Sequence, residues 1–330
     1  MKLINDGARS RVKQALAAAA AALLLAACGG GGRVSDFAPT RVIAFGDESS
    51  VLDDSAEPGN ARKYSINPVF SATVDCHTHR NWVQHVAEAY GLYFPECSVG
   101  LEPGTPMPSL MLAQPDADVA AVTAQIDGFL AGNSLGETDL VTVYVGVHDI
   151  LSQFEAVKAG GTREAAMTAV GAAGTALVQQ VKRLTDAGGK VVLVMVPGLE
   201  HTPLAVTEEA AQSGRRDLLG ALTLRFNDEL ALAIANVGLM DGRTLGVIQF
   251  DDRVSVISRD GAGYDTPTNR SACDETHRGV NLLTCTTDTL VPQAVNRSER
   301  WLWADDVRLS AQGQWELGEQ ALVRARENPF

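Results

Sequence analysis

The stretch that decides the fold comprises residues 41–50 and reads RVIAFGDESS. Its first residues are mostly apolar and favour a short buried strand, and the Gly-Asp pair that follows indicates a turn. In an open parallel sheet, a strand that ends in this way presents side chains at the carboxyl edge, where ligands bind. The residue presented here is Glu48, which makes it the first candidate site residue.

Three further apolar runs have the β-branched composition of strands that are buried on both faces: residues 139–146, 190–197 and 245–250. Amphipathic helical patterns alternate with them. These patterns span residues 81–90, 119–132, 163–187, 208–237 (with an interruption near Gly214) and 310–326. The alternation predicts an α/β, three-layer, doubly wound fold with a parallel sheet between helices. Residues 92–94 are a short strand candidate, and four prolines predict a loop at residues 101–118.

The amino terminus has the pattern of a targeting segment. Four basic residues precede an apolar run at residues 15–25, which is shorter than the roughly 20 residues that a spanning helix needs. The run ends in Leu-Ala-Ala-Cys at Cys28, which resembles a bacterial lipobox; an ordinary cleaved signal with a chance cysteine is the alternative. The resemblance implies a signal peptide at residues 1–27, a lipidated Cys28 with a flexible tether to residue 39, and one domain at residues 40–330. It also implies a lipid anchor in the bacterial cell envelope, facing the periplasm and in the outer membrane.

The charge of the chain argues against a nucleic-acid partner. Removal of residues 1–27 takes away four basic residues and one acidic residue, so the net charge changes from −13 to −16. A surface of this sign repels the phosphate backbone. We therefore expect membrane attachment through the lipid on Cys28 and not through basic residues, and we expect a monomer.

Four cysteines remain in a compartment that would be oxidising, and they allow three pairings. We expect the local pairing, in which Cys76 bonds to Cys97 and Cys273 bonds to Cys285. A thiol held in a disulfide cannot ligate a metal, so His77 and His79 beside Cys76 are expected to face solvent on a loop. The sequence implies no metal and no organic cofactor.

Three short motifs lie at strand ends or just before the final helix: Gly-Asp-Glu-Ser-Ser at residues 46–50, Gly-Val-His-Asp at residues 146–149 and Asp-Asp-Val-Arg-Leu-Ser at residues 305–310. Their order and spacing resemble the SGNH/GDSL hydrolases, a family of lipases and esterases, over roughly residues 40–325. In that family the corresponding blocks are Gly-Asp-Ser, Gly-x-Asn-Asp and Asp-x-x-His. The resemblance implies a flavodoxin-like fold with a five-stranded parallel sheet and serine-based acyl transfer.

The residues that the resemblance assigns to the active site are mostly replaced in this chain. Glu48 stands where the family has the nucleophilic serine, and Arg308 stands where it has the histidine base. The aspartate that orients the base is kept as Asp305. The resemblance also assigns three residues to the oxyanion region. They are Glu48, His148 in place of the asparagine, and Asp116 in place of a glycine.

The two central replacements have opposite charges. Because the serine and histidine of a triad lie within hydrogen-bond reach, Glu48 and Arg308 should as well. We predict an ion pair between them, with Asp305 as a second acceptor for the guanidinium. Arg308 cannot serve as a general base at neutral pH. It would also keep Glu48 and Asp305 ionised, which leaves no general acid for glycoside cleavage.

An active site built from other residues is the alternative. Ser49 or Ser50 could act as a displaced nucleophile with His148 as base, although only Asp149 is at hand to orient that histidine. Successive residues at a helix start are rotated by about 100°, so Ser49 should point away from the position of Glu48.

The sequence therefore predicts a hydrolase-like lipoprotein that is catalytically inactive and binds an acyl or glycan ligand in the old cleft. A serine esterase and a membrane-tethered structural or assembly partner are the other two hypotheses.

Overall fold

The computed structural model describes residues 37–239 and 242–327. The predicted signal peptide and Cys28 lie outside the described residues. Within those residues, no helix combines the length and the apolar composition that are needed to cross a bilayer.

The strands of the described residues form one central sheet and one small hairpin. In chain order they are β1 (Arg41–Gly46), β2 (Val69–Phe70), β3 (Thr73–Val74), β4 (Leu110–Met111), β5 (Asp139–Tyr144), β6 (Lys190–Val194) and β7 (Leu245–Ile248). The central sheet is parallel and five-stranded in the order β4-β1-β5-β6-β7, whereas β2 and β3 pair with each other antiparallel. This is the flavodoxin-like order. The chain adds β4 on one side of β1 and then β5, β6 and β7 on the other side, so the switch point of the sheet lies between β1 and β5. The predicted fold class is confirmed.

Helices cover both faces of the sheet. They are α1 (Trp82–Glu88), α2 (Val119–Gly132), α3 (Val147–Lys158), α4 (Arg163–Asp186), α5 (Pro203–Ala211), α6 (Arg215–Asn236), α7 (Phe250–Asp260) and α8 (Ala311–Arg326). Side chains of a strand alternate between the two faces. Ile43 and Phe45 of β1 therefore join a core with α2 to α6, while Val42 and Ala44 join a core with α1, α7 and α8.

The sequence missed the hairpin of β2 and β3, strand β4 and helices α3 and α7, and it predicted one strand that is absent. β4 lies inside the predicted loop, where Leu110 and Met111 pair with β1 because the neighbouring prolines fall outside the two paired residues. Helices α3 and α7 were not predicted. Residues 92–94 are not a strand. The final helix begins after Ser310, whose hydroxyl accepts hydrogen bonds from the Gln312 and Gly313 amides, as expected for an N-cap.

The predicted disulfides, Cys76–Cys97 and Cys273–Cys285, are both present. The expectation that His77 and His79 face solvent is wrong. Nε2 of His77 lies 3.0 Å from the Val99 carbonyl oxygen, and Nδ1 of His79 lies 3.2 Å from the Ile66 carbonyl oxygen. The loop packs inward at these two residues, so both rings bond to the backbone of neighbouring segments.

Candidate functional site

Glu48 is positioned by a sharp turn at the end of β1. Gly46 has φ 140°, and a Cβ there would collide with the Tyr144 carbonyl group of β5, so only glycine fits. The Asp47 amide then donates to that same carbonyl oxygen at 3.0 Å. The chain therefore leaves the sheet at the switch point between β1 and β5, which is where ligands bind in sheets of this order.

The Glu48 carboxylate is almost fully buried and accepts hydrogen bonds from three sides. Nε of Arg308 donates to Oε1 at 2.7 Å, and Nε2 of His148 lies 2.9 Å from Oε1 and 2.8 Å from Oε2. The Asp116 amide donates to Oε2 at 3.0 Å. The predicted ion pair between Glu48 and Arg308 is thus present, and His148 is an additional partner that the sequence did not predict.

Arg308 joins Glu48 to a second buried carboxylate. Its Nη1 donates to Oδ2 of Asp305 at 2.9 Å, as predicted. The amides of Val307, Arg308 and Gly279 donate to the same carboxylate at 2.8 to 3.1 Å. One guanidinium therefore bridges two carboxylates through two of its nitrogens, and each carboxylate has further donors that offset the cost of burial.

These contacts keep the group ionised. Burial alone would raise the pKa of Glu48, but the hydrogen bond from His148 and the charge of Arg308 lower it to about 2. Burial alone would lower the pKa of His148, but the hydrogen bond to Glu48 and the charge of Glu48 raise it. The neighbouring Asp47 behaves differently, because burial and the charge of Glu48 raise its pKa to about 7. A carboxylate held in this way is a fixed charge and not an attacking group.

Asp116 adopts a backbone conformation that favours glycine. Its φ is 57°, in the left-handed region, and the family resemblance assigns a glycine to this position. Its amide points at Glu48, while its side chain is exposed. Among residues 37–239 and 242–327, no donor lies within hydrogen-bond distance of the Asp116 carboxylate.

The two serines of the alternative site are bonded elsewhere. The hydroxyl of Ser50 is buried and accepts from the Trp82 indole N–H at 3.1 Å. The Ser49 amide donates to Oδ1 of Asp47 at 2.9 Å, and the Ser49 carbonyl oxygen accepts from Nε2 of Gln314 at 3.2 Å. Among the described residues, no hydrogen bond joins Ser49 to Glu48 or to His148.

Asp149 does not orient His148. Its Oδ2 accepts from the Val119 amide at 3.1 Å, at the start of α2, and burial raises its pKa to about 6. His148 therefore pairs with Glu48 and has neither a serine nor an orienting carboxylate from Asp149.

One further aromatic residue belongs to this edge and was missed by the sequence reasoning. Tyr64 is half-buried, and burial together with the charges of Asp53, Glu48 and Asp116 raises its pKa. Tyr64 comes from the long polar excursion after β1. No motif marks this position in the sequence, so only the folded chain reveals it.

No protein-family model matches the sequence, and no curated protein matches it. Solved structures do match. A lipolytic G-D-S-L family protein from Veillonella parvula is 13% identical, with a TM-score of 0.43, over 86% of this chain and 96% of that chain. The acetylxylan esterase Axe2 from Geobacillus stearothermophilus is 11% identical, with a TM-score of 0.44, over 89% and 97%. LAE5, an alpha/beta hydrolase enzyme from the metagenome of Lake Arreo, is 12% identical, with a TM-score of 0.40, over 71% and 88%.

The sheet order and the three motifs at its carboxyl edge are properties of this chain itself. Glu48 follows β1, His148 follows β5, and Arg308 precedes α8, and the fold brings all three into contact. The described residues have a doubly wound α/β fold with a five-stranded parallel sheet, and the motifs at its carboxyl edge are those that resemble the SGNH/GDSL hydrolases.

Proposed function

We propose that this protein is a non-hydrolytic, ligand-binding protein of the bacterial cell envelope, anchored by a lipid on Cys28. The observation that carries the proposal is the state of Glu48. The sequence resemblance assigns Glu48 to the position of the nucleophilic serine, and its carboxylate bonds to Arg308, His148 and the Asp116 amide.

Ester hydrolysis by a serine needs a nucleophile and a base within hydrogen-bond reach of each other. Arg308 cannot accept a proton at neutral pH, and although burial opposes its charge, Asp305 and Glu48 raise its pKa. The buried Ser50 hydroxyl bonds to the Trp82 indole, and His148 bonds to Glu48 and to neither serine. The support for an inactive site is therefore that the base of the alternative site is paired with Glu48 and that neither Ser49 nor Ser50 is bonded to it.

The rim of the site favours a polyhydroxylated ligand, such as a glycan, over an acyl anion. The carboxylates of Asp116 and Asp306 are exposed there, and ionised carboxylates only accept hydrogen bonds. Hydroxyl groups of a sugar can donate to such acceptors, whereas a ligand carboxylate would be repelled. The half-buried Tyr64 is near these acids, because burial and the charges of Asp53, Glu48 and Asp116 raise its pKa.

Labelling with a fluorophosphonate probe tests the loss of hydrolysis. We expect no stoichiometric labelling of the full chain and no turnover of p-nitrophenyl acetate above that of the Ser49→Ala/Ser50→Ala variant. Stoichiometric labelling at Ser49 or Ser50 would overturn the proposal in favour of the esterase.

Calorimetric titration tests the ligand class. We expect chitotriose, a neutral oligosaccharide, to bind the full chain, and we expect decanoate, an acyl anion, not to bind. Tyr64→Ala should weaken the binding of the sugar, whereas Tyr93→Ala, outside the site, should not. Binding of decanoate alone would reverse the assignment of the ligand.

A further inference from the structure

We propose that Glu48, Asp116 and His148 form a binding site for a divalent cation, best matched to Zn²⁺, at the switch point between β1 and β5. The site goes beyond the function proposed above, because a binding protein without hydrolysis does not require a metal.

The ligand atoms are already close to one another. One carboxylate oxygen from each acid and a ring nitrogen of His148 all lie within 4.8 Å of one another. Oε2 of Glu48 and Nε2 of His148 are 2.8 Å apart. Ligand atoms bound about 2.0–2.1 Å from one zinc ion are separated by roughly 3.3 Å in tetrahedral geometry. The ligand atoms of Glu48 and His148 therefore need to move apart only slightly to admit the ion. The exposed Asp116 side chain can rotate to bring its carboxylate closer.

Arg308 contacts only one of the two carboxylate oxygens of Glu48. Its Nε bonds to Oε1, whereas Oε2 faces His148 and the Asp116 amide. The ion pair with Arg308 therefore fixes the orientation of Glu48, as partners of a ligating carboxylate commonly do in metal sites. Asp116 lacks a donor among the described residues, so a cation would be its first partner.

The charge balance also favours a divalent ion. Glu48, Asp116 and Asp305 together carry three negative charges against the single positive charge of Arg308. With a neutral imidazole at His148, the excess of two negative charges equals the charge of one divalent cation.

The types of the three ligands indicate which cation fits. One imidazole and two carboxylates are ligands that suit Zn²⁺, whereas Mg²⁺ and Ca²⁺ prefer oxygen ligands alone. Three protein ligands leave a fourth position for water or a ligand group.

Calorimetric titration of the full chain with zinc chloride tests the site. We expect one ion to bind, and we expect His148→Gln and Asp116→Asn each to weaken binding at least tenfold. The matched controls are His85→Gln and Asp127→Asn, whose side chains pair with Glu319 and Arg183 away from the site. Both controls should bind zinc as the wild type does.

A second measurement guards against a variant that does not fold. Zinc should raise the melting temperature of the wild type and of both controls, but not that of Asp116→Asn, whose exposed side chain can change without disturbing the core. Absence of binding to the wild type, or an affinity of Asp116→Asn or His148→Gln equal to that of the wild type, would overturn the proposal. These outcomes are independent of fluorophosphonate labelling, so failure of the metal site and failure of the proposed function are distinguishable.

Discussion

Glu48 and Lys63 are both ionisable side chains that the fold buries almost completely, but their partners differ. Glu48 bonds to a guanidinium, an imidazole and an amide, and its pKa falls to about 2. Nζ of Lys63 donates only to the carbonyl oxygens of Cys76 and Thr78, at 2.8 and 3.0 Å. No described carboxylate forms an ion pair with it, and burial lowers its pKa to about 7. The partners of a buried group, more than its depth, thus decide whether it keeps its charge.

The largest expected effect comes from breaking the paired site. Arg308→Gln leaves Glu48 and Asp305 buried without the charge that compensates both. Loss of one partner of a buried pair costs about 3–5 kcal/mol of the free energy of unfolding. Urea denaturation followed by circular dichroism should show this loss as a lower midpoint with an unchanged slope.

Two further variants show whether the loss comes from the unpaired charge. Glu48→Gln/Arg308→Gln removes the charge together with its partner and should be more stable than Arg308→Gln alone, by up to about 3 kcal/mol. Arg259→Gln removes an exposed arginine that pairs with Asp260, and its midpoint should not change. If the double variant were as unstable as Arg308→Gln, the unpaired charge would not be the cause.

The second expected effect is a gain of hydrolysis when the paired site is converted back to a triad. The guanidinium of Arg308 spans Glu48 and Asp305, as an imidazole spans serine and aspartate in a hydrolase. Glu48→Ser/His148→Asn/Arg308→His should therefore hydrolyse p-nitrophenyl acetate faster than Glu48→Ser alone. A positioned base contributes about 10²-fold or more. Equal rates for the two variants would show that the rest of the cleft no longer supports the reaction.

How far the sequence predicts this molecule depends on the range of the interactions involved. The sheet was predictable because its long strands are β-branched runs between helical patterns. The pair of Glu48 and Arg308 was predictable because two replacements with opposite charge fall on positions that must touch. β4 was missed because it has only two paired residues, set in a loop rich in proline.

The contact between His148 and Glu48 was missed for a different reason. His148 lies in the first turn of α3, a helix that the sequence did not predict because the strand pattern continues through Val145. Lys63 carries no sequence signal of burial at all. Its environment is created by the Cys76–Cys97 loop and the residues that follow Cys76, which come together only in the folded chain.

The smallest expected effect concerns Lys63. Between its folded pKa near 7 and its ordinary value of 10.5, the unfolded chain holds a proton on this amine that the folded chain does not hold. The free energy of unfolding therefore rises as the pH increases across this window. It falls again as the pH decreases towards 7. Nearby charges act in both directions, because Asp75 and Glu88 favour the ammonium whereas Arg80 opposes it.

Urea denaturation at pH 6.5, 7.5 and 8.5 measures this contribution. The wild type should gain about 2 kcal/mol over Lys63→Met as the pH rises from 6.5 to 8.5, since each fully displaced proton contributes about 1.4 kcal/mol per pH unit. Lys182→Met, which changes an exposed lysine paired with Asp186, should keep the wild-type slope. A Lys63→Met variant with the wild-type slope would mean that Lys63 keeps its charge despite burial. Lys63 would then keep its charge in the folded chain, as Glu48 does. Two carbonyl oxygens would be enough to stabilise its ammonium, whereas Glu48 has a guanidinium as its partner.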